Sequence, residues 1–98
     1  MSEATIVRYE TKPEHAEENE ALVKAVYAEL AATDPGHLRY ATFRLDDGVT
    51  FLHVAVTDGE NPLSTTAAFA AFQSGIRERC AVPPAPATAT IVGSYGLG

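Results

Sequence analysis

The stretch 38–58 of the chain reads LRYATFRLDDGVTFLHVAVTD, and it decides the fold. Two runs rich in β-branched and aromatic residues meet there at Asp47 and Gly48. An Asp-Gly pair between two such runs is typical of a hairpin with a two-residue type I′ turn, because Gly adopts positive φ without steric cost and Asp tolerates it. The stretch therefore predicts a β-hairpin in the middle of a sheet, with Thr42 opposite His53.

Both faces of this hairpin are mainly apolar. One face carries only hydrocarbon side chains, namely Ala41, Phe43, Leu45, Leu52, Val54 and Val56. The other face adds a phenol, a hydroxyl and an imidazole, and it consists of Leu38, Tyr40, Thr42, Phe51, His53 and Ala55. Because an antiparallel sheet with one solvated face normally alternates apolar with charged residues, two apolar faces predict two covering layers. We expect the helices to cover the hydrocarbon face.

Length and composition indicate one globular domain over residues 1–98. The chain is 46% hydrophobic, has a formal net charge of −6 and contains a single cysteine. This acidic balance excludes nucleic acid as a partner, because phosphate binding requires clustered Lys and Arg. No apolar run approaches the roughly 20 residues of a membrane span, so we expect no membrane association. The start MSEATIVRYE lacks the pattern of a signal peptide, and we therefore expect a cytoplasmic protein.

The segment before the hairpin predicts a strand and a long helix. Residues 4–10, ATIVRYE, have the composition of a strand. The next four residues fit a capping box, in which Thr11 and Glu14 each satisfy a backbone N–H of the first helical turn. The helix should run to about Ala32, and its inward stripe should consist of Ala16, Asn19, Val23, Val26, Tyr27 and Leu30.

The segment after the hairpin predicts a second helix and a last strand. Ser64 or Thr65 can cap a helix that reads TTAAFAAFQSGIRERC, in which Gly75 favours close packing. The inward residues of this helix should be Phe69, Phe72, Ile76 and Cys80. The prolines of the segment 83–86 should end the helix, so the last strand should span residues 87–97, with a bulge at Gly93.

The predicted element order is βαββαβ. This order is typical of the ferredoxin-like α+β fold, which has a four-stranded antiparallel sheet with two helices on one face. The helices leave the second apolar face uncovered, and a self-complementary two-fold contact is the commonest way to cover such a face. We therefore expect a homodimer through sheet packing that buries about 1,200–2,000 Å² or more.

The chain resembles the dimeric α+β barrel superfamily over nearly its whole length. The resemblance rests on this element order and on the stretches DPGHLRYATFRLDDGVTFLHVAV, FAAFQSGIRERC and IVGSYG. Within this superfamily, the chain resembles an uncharacterised branch of the antibiotic-biosynthesis-monooxygenase-like proteins. The resemblance implies two sheets packed face to face and a ligand pocket between sheet and helices in each protomer. It also implies a range of activities, from cofactor-free oxidation of aromatic polyketides to haem degradation and isomerisation. The oxidising members commonly rely on a Trp together with Asn or His, whereas this sequence has no Trp and no His in its second helix, so no catalytic residue is carried over.

The residues themselves offer His53 as the candidate catalytic group. An imidazole in mid-strand among hydroxyl-bearing neighbours can act as a base or orient a phenolic ligand. The alternative, which we favour, is a buried histidine that is satisfied by hydrogen bonds and has no catalytic role. The candidates for a ligand pocket are Asn19, Tyr27, Tyr40, Thr42, His53, Phe69 and Phe72. For Asn19 the alternative is a hydrogen bond to a backbone carbonyl, and for the aromatic rings of the two helices it is core packing.

The sequence predicts neither a metal site nor a bound cofactor. His15, His37, His53 and Cys80 share no metal-ligand spacing, and no Gly-rich loop joins a strand to a helix. Cys80 follows Arg79, which could lower the pKa of the thiol, but its place on the apolar stripe favours a small hydrophobic residue.

Two functional hypotheses follow from these patterns. The first is an enzyme or carrier for a small, mainly apolar and aromatic molecule held between helices and sheet, with cofactor-independent monooxygenase-like chemistry as the activity. The alternative is a non-catalytic homodimeric module with a structural or interaction role. A cavity of a few hundred Å³ with convergent polar groups would support the first hypothesis, and a space filled by aromatic side chains would support the second.

Overall fold

The computed structural model of the chain describes residues 3–34, 36, 38–57 and 62–95. Its elements follow the predicted βαββαβ order, except that the second helix is in two parts. The strands and helices are β1 (Glu3–Thr11), α1 (Ala16–Thr33), β2 (Leu38–Arg44), β3 (Thr50–Thr57), α2 (Ala67–Gln73), α3 (Ile76–Arg79) and β4 (Cys80–Ala89). Short 3₁₀ turns, Pro13–His15 and Pro62–Thr65, precede α1 and α2. None of the helices in these ranges is long and apolar enough to cross a membrane.

The four strands form one antiparallel sheet in the order β2-β3-β1-β4, which confirms the ferredoxin-like α+β fold. The hairpin register is as predicted, since Thr42 lies opposite His53. The hairpin is not in the middle of the sheet, however, because β2 forms an edge. Strand β1 is the second central strand, and its register with β3 places Val7 opposite His53 and Tyr9 opposite Phe51.

The turn of the hairpin differs from the predicted type I′ turn. The last residues joined across it are Leu45, whose N–H donates, and Thr50, whose carbonyl accepts at 2.9 Å, so the loop contains residues 46–49. Within this loop only Gly48 has positive φ, whereas a type I′ turn needs positive φ at both central positions. The carboxylate of Asp47 accounts for the difference, because it accepts hydrogen bonds from the backbone N–H groups of Val49 and Thr50.

Helix α1 begins later than the sequence pattern predicts, and the predicted capping box is wrong. Thr11 still belongs to β1, and its hydroxyl donates to the carbonyl of Val49 at 3.3 Å instead of capping the helix with Glu14. Strand β1 extends to Thr11 because the backbone N–H of Thr11 also donates to the Val49 carbonyl in the hairpin loop. The inward stripe is as predicted: Ala16, Asn19, Val23 and Val26 are buried, and Tyr27 and Leu30 are partly buried against the core.

The helices cover the face of the hairpin opposite to the one predicted. Phe51 and His53 are 1% and 5% exposed, whereas Phe43 on the hydrocarbon face is 51% exposed. The reason lies in β1, which adds Tyr9 beside Phe51, and the two rings stack with their centroids 5.6 Å apart. Strand β1 also places the exposed Arg8 on the hydrocarbon face, where its charge stays in water.

The second helix is broken rather than continuous. Its N-cap is Thr66, whose hydroxyl accepts the backbone N–H of Phe69, in place of the predicted Ser64 or Thr65. Gly75, at φ 80°, separates α2 from α3. This glycine is therefore required by a left-handed backbone, which residues with a Cβ rarely adopt, and not by close packing as predicted.

The last strand begins at Cys80, earlier than predicted. The prolines of the segment 83–86 lie within it because β4 is an edge strand, where a missing N–H can face solvent. Residues 90–95 are not in a strand, so the predicted bulge at Gly93 is wrong, and the register shifts fall between β1 and the first half of β4 instead. The end of the predicted strand, residues 96–97, lies outside the described residues.

Candidate functional site

A pocket of about 490 Å³ lies between the sheet and helix α2. Four of the predicted site residues line it: Tyr40, His53, Phe69 and Phe72. The other lining residues are Thr5, Val7, Tyr9, Ala55, Leu63, Gln73, Ile76 and Pro84. Most of these walls are apolar or aromatic. The polar groups of Tyr40 and His53 meet on one wall, where they are hydrogen-bonded to each other.

The other three predicted site residues do not line this pocket. Tyr27 and Thr42 line a separate cleft of about 430 Å³ next to Arg44, and their two hydroxyls are 2.8 Å apart. Asn19 is fully buried, and it is connected to the pocket through Tyr9, to whose hydroxyl it donates. Tyr27 still supports the pocket, because its ring stacks on that of Tyr40 with centroids 5.2 Å apart.

The alternation of strand β3 brings His53 to the pocket. Successive side chains of a strand point to opposite faces, so His53 shares the helix-covered face with its strand partners Thr42 in β2 and Val7 in β1. Tyr9 lies two residues along β1 from Val7 and therefore points to the same face. The histidine is thus surrounded by side chains of three strands, with Phe72 of α2 packed over it at a ring distance of 5.3 Å.

Three hydroxyl groups surround the imidazole, and the hairpin register predicted two of them, those of Tyr40 and Thr42. The Tyr9 hydroxyl lies 2.8 Å from Nε2, and the Tyr40 hydroxyl lies 2.5 Å from Nδ1. Thr42 Oγ1 lies 3.2 Å from the same Nδ1. Both ring nitrogens therefore have partners within the protein.

A buried amide and a guanidinium extend this hydrogen-bond network. Asn19 Nδ2 donates to the Tyr9 hydroxyl at 2.9 Å, and Arg79 Nε donates to Asn19 Oδ1 at 3.2 Å. The alternative predicted for Asn19, a backbone carbonyl, is therefore wrong. The guanidinium of Arg79, which is 4% exposed, also donates to the backbone carbonyls of Phe72 and Ser74.

Burial keeps the network uncharged at neutral pH, apart from its guanidinium end. Desolvation lowers the pKa of His53 to about 4, because the imidazolium form would lose its hydration. Desolvation also raises the pKa of Tyr40 to about 12, against the opposing effect of its hydrogen bond with Thr42. The pKa of Tyr9 is raised for the same reason, and the hydrogen bond from Asn19 opposes that shift. Both phenols therefore keep their protons.

Cys80 behaves as the small hydrophobic residue that the sequence favours. It is 8% exposed and belongs to the core cluster around Tyr9, Phe51 and Phe72. Burial raises the pKa of its thiol, and the nearby charge of Arg79 offsets this only in part. The thiol is thus not activated as a nucleophile.

The sequence pattern missed Tyr9 and Arg79 as parts of the site. Tyr9 shares a face with Val7 in any strand, but only the pairing of β1 with β3 puts that face beside His53. Arg79 ends α3, and only the assembled fold brings its side chain to Asn19. In the part of the chain that the structure describes, no group of three or more His, Cys, Asp or Glu side chains could hold a metal ion. His37, one of the histidines considered for such a site, lies outside the described residues.

The fold and the pocket together define a ferredoxin-like α+β protein with an aromatic cavity between its sheet and its second helix. The chain belongs to the antibiotic biosynthesis monooxygenase family, whose sequence model matches residues 4–56, more than half of the chain. The resemblance seen in the sequence is thereby confirmed.

Several solved structures have the same fold. Rv0793 from Mycobacterium tuberculosis is 16% identical with a TM-score of 0.77, over 98% of this chain and 100% of its own. A conserved protein from Methanosarcina mazei is 13% identical with a TM-score of 0.73, over 91% of each chain. A variant of SnoaB from Streptomyces nogalater, described as a cofactor-independent oxygenase, is 15% identical with a TM-score of 0.69, over 97% of each chain. A comparison with curated proteins found no match.

Proposed function

We propose that the protein is a cofactor-independent oxygenase that acts on a small phenolic aromatic molecule in the pocket between the sheet and α2. The pocket itself carries the proposal. Its volume of about 490 Å³ falls within the range of small-molecule sites, and its walls are mostly aromatic and apolar, with the hydrogen-bonded polar groups of Tyr40 and His53 among them. Membership of the family and the likeness to SnoaB support the same class of reaction.

The reaction that we propose is oxidation of a phenol to a quinone by molecular oxygen. The ring C–H opposite the hydroxyl is replaced by a C=O group that takes one atom of O₂. The second oxygen atom leaves as water, with one hydrogen from the ring carbon and one from the hydroxyl. The substrate loses four electrons and O₂ gains four, so the reaction needs no further reductant.

Tyr40 is the residue that we assign to the substrate oxygen. Its hydroxyl lies on the pocket wall, and with a pKa of about 12 it remains a hydrogen-bond donor at neutral pH. A donor at this place stabilises the negative charge that develops on the oxygen of a phenol during oxidation. The stacking of Tyr40 on Tyr27 holds the donor in place.

His53 is a positioning residue in this proposal. An imidazole with a pKa of about 4 is a weak proton acceptor at neutral pH, and both of its nitrogens are already hydrogen-bonded. It orients Tyr40 instead of touching the substrate. A folded His53→Gln variant that binds the ligand as well as the wild type but cannot convert it would contradict this assignment and make His53 catalytic.

The proposal is tested by screening phenols of one to three rings. Binding is measured as a rise in melting temperature, and turnover is measured for each ligand as oxygen consumption, with ¹⁸O₂ to follow the oxygen atoms. We expect at least one ligand to yield a quinone that carries one ¹⁸O atom. Tyr40→Phe keeps the ring that stacks on Tyr27 and removes only the donor to the charge that develops on the substrate oxygen, so it should slow turnover by roughly 10- to 100-fold.

The outcome also separates this proposal from the structural alternative. Ligands that bind without any oxygen consumption would contradict the oxygenase assignment and leave a carrier. The absence of any ligand from the whole screen would favour the non-catalytic module. The matched variant Phe43→Leu, on the opposite face of the sheet, should leave both measurements unchanged.

We also propose that the protein is a homodimer in which the hydrocarbon faces of two sheets pack together. The helices leave this face uncovered, and Phe43 and Leu45 on it are 51% and 39% exposed in the single chain. Exposed apolar area of this kind on a sheet is typical of an interaction surface. Sedimentation should show a dimer at micromolar concentration, and Phe43→Asp should convert it to a folded monomer. A monomeric wild type would contradict the proposal.

A further inference from the structure

We infer that the pocket selects an aromatic ligand by an ionised hydroxyl, a phenolate or enolate, and that Asn19, anchored on Arg79, is the positioning residue that sets this preference. The inference deepens the proposed function and rests on it only in placing an aromatic ligand in the pocket. It follows from the direction of the hydrogen bonds that link Arg79 to Tyr40.

The guanidinium of Arg79 fixes one end of this hydrogen-bond chain, because it can only donate. Its Nε donates to Asn19 Oδ1 at 3.2 Å, which assigns the oxygen of the amide to Arg79 and leaves the nitrogen to face Tyr9. Asn19 Nδ2 then donates to the Tyr9 hydroxyl at 2.9 Å. The remaining nitrogens of the guanidinium are held by the carbonyls of Phe72 and Ser74, so the anchor cannot turn away.

The order of donors and acceptors continues from Tyr9 through the imidazole of His53 to Tyr40. Tyr9 is 1% exposed, and among the described residues the acceptor for its hydroxyl hydrogen is His53 Nε2, at 2.8 Å. Neutral His53 therefore carries its hydrogen on Nδ1 and donates it to the Tyr40 oxygen at 2.5 Å. Thr42 Oγ1 lies 3.2 Å from the same Nδ1 and 2.8 Å from the Tyr27 hydroxyl. The hydroxyl hydrogen of Tyr40 is thus left for a ligand in the pocket.

This order of hydrogen-bond donors and acceptors excludes a role for His53 as a base that takes a substrate proton through Tyr40. A proton passed from a substrate to Tyr40 would have to move on to Nδ1, which already holds a hydrogen. The site therefore suits a substrate whose hydroxyl is ionised before it binds, because such a group needs a donor and no base.

The buried charge near the pocket is positive, which suits a ligand with an ionised hydroxyl. Arg79 is buried, and in the described ranges no carboxylate lies within 4 Å of its guanidinium. Its Cζ lies 5.5 Å from the centroid of Phe72, which forms part of the pocket wall. A buried positive charge without an anionic partner favours a negatively charged ligand nearby.

The test is the isosteric substitution Asn19→Asp. A carboxylate accepts from Arg79 but cannot donate to Tyr9, so Tyr9 should turn its hydrogen to residue 19. His53 should then carry its hydrogen on Nε2, and Tyr40 should donate to Nδ1 and become an acceptor towards the pocket. The substitution therefore reverses the hydrogen-bond chain without touching the ligand, and it also neutralises the charge of Arg79.

Two measurements detect this reversal of the hydrogen-bond chain. The ¹⁵N NMR shifts of His53 should show hydrogen on Nδ1 in the wild type and on Nε2 in the variant. The probes are 2-hydroxy-1,4-naphthoquinone, which is ionised at neutral pH, and 1-naphthol, which is not. The wild type should bind the ionised probe at least about tenfold more tightly than 1-naphthol, a difference of about 1.4 kcal/mol. The Asn19→Asp variant should lose or invert this preference.

Tyr40→Phe is the matched control, because it should lose the preference while His53 keeps its hydrogen on Nδ1. A wild-type spectrum with hydrogen on Nε2 would overturn the inference without any variant. It would equally be overturned by wild-type preference for 1-naphthol or by failure of both probes to bind. None of these measurements uses oxygen consumption, so a selective site that does not oxidise its ligand would refute the proposed function and leave the inference standing.

Discussion

Replacement of Phe72 by alanine should lower the free energy of unfolding by about 3–5 kcal/mol, which is a large part of the stability of a domain of this size. Phe72 is 5% exposed, and its ring packs on those of Tyr9, His53 and Phe69 at centroid distances of 6.2, 5.3 and 6.0 Å. Alanine would leave a cavity that joins the existing pocket, so the surrounding rings could not easily collapse to fill it. Urea unfolding at neutral pH measures the change.

Phe43→Ala is the matched control for this prediction. The hairpin pattern placed Phe43 on the side that the helices cover, whereas the structure leaves it 51% exposed. Its removal should therefore cost much less than the removal of Phe72 in the single chain. Any cost should depend on protein concentration, because it would come from the sheet-packed dimer. Equal, concentration-independent losses for the two variants would show that Phe43 belongs to the helix-covered core after all.

Local patterns predicted much of the fold because short-range physics determines them. The 3.6-residue spacing identified the buried stripe of α1, including the polar Asn19, and alternation across the hairpin placed Thr42 opposite His53. The choice of face depends on β1, a strand distant in sequence that contributes Tyr9 to one side and Arg8 to the other. No periodicity within the hairpin contains that information.

The sequence was less successful in predicting where strands and helices begin and end, and the cause is different. A side chain that can form a local hydrogen bond competes with the regular pattern, as the carboxylate of Asp47 does in the hairpin loop. Prolines that stop a helix can also lie in an edge strand, and the position of β4 at the edge is visible only in the assembled sheet.

The candidate site could be predicted only in part for the same reason. Tyr40 and His53 belong to one hairpin, so their neighbourhood followed from its register. Arg79 is 60 residues from Asn19 in the chain, and only the assembled fold brings the two together. The direction of the hydrogen-bond chain, on which the chemistry depends, starts from that long-range contact.

We expect His53 to make the protein less stable in mild acid than at neutral pH. Burial lowers the pKa of His53 from 6.5 to about 4, so between these values the unfolded chain binds a proton that the folded chain does not. The contribution of the neutral imidazole to stability is therefore complete above pH 6.5 and decreases as the pH falls towards 4. The total loss should be about 3 kcal/mol, at about 1.4 kcal/mol for each unit of pKa.

Urea unfolding of the wild type and of His53→Gln, at a series of pH values from 7.5 to about 4, isolates this contribution. Glutamine does not titrate, so the difference in unfolding free energy between the two proteins should shrink across this interval, while carboxylates such as Asp47 affect both alike. Glutamine can also keep one hydrogen bond to the surrounding hydroxyls. His53→Leu should be less stable than His53→Gln at pH 7 by about 1–3 kcal/mol, because it leaves the buried Tyr9 hydroxyl without its acceptor. A constant difference between wild type and His53→Gln over the whole pH range would mean that burial does not lower the pKa of His53.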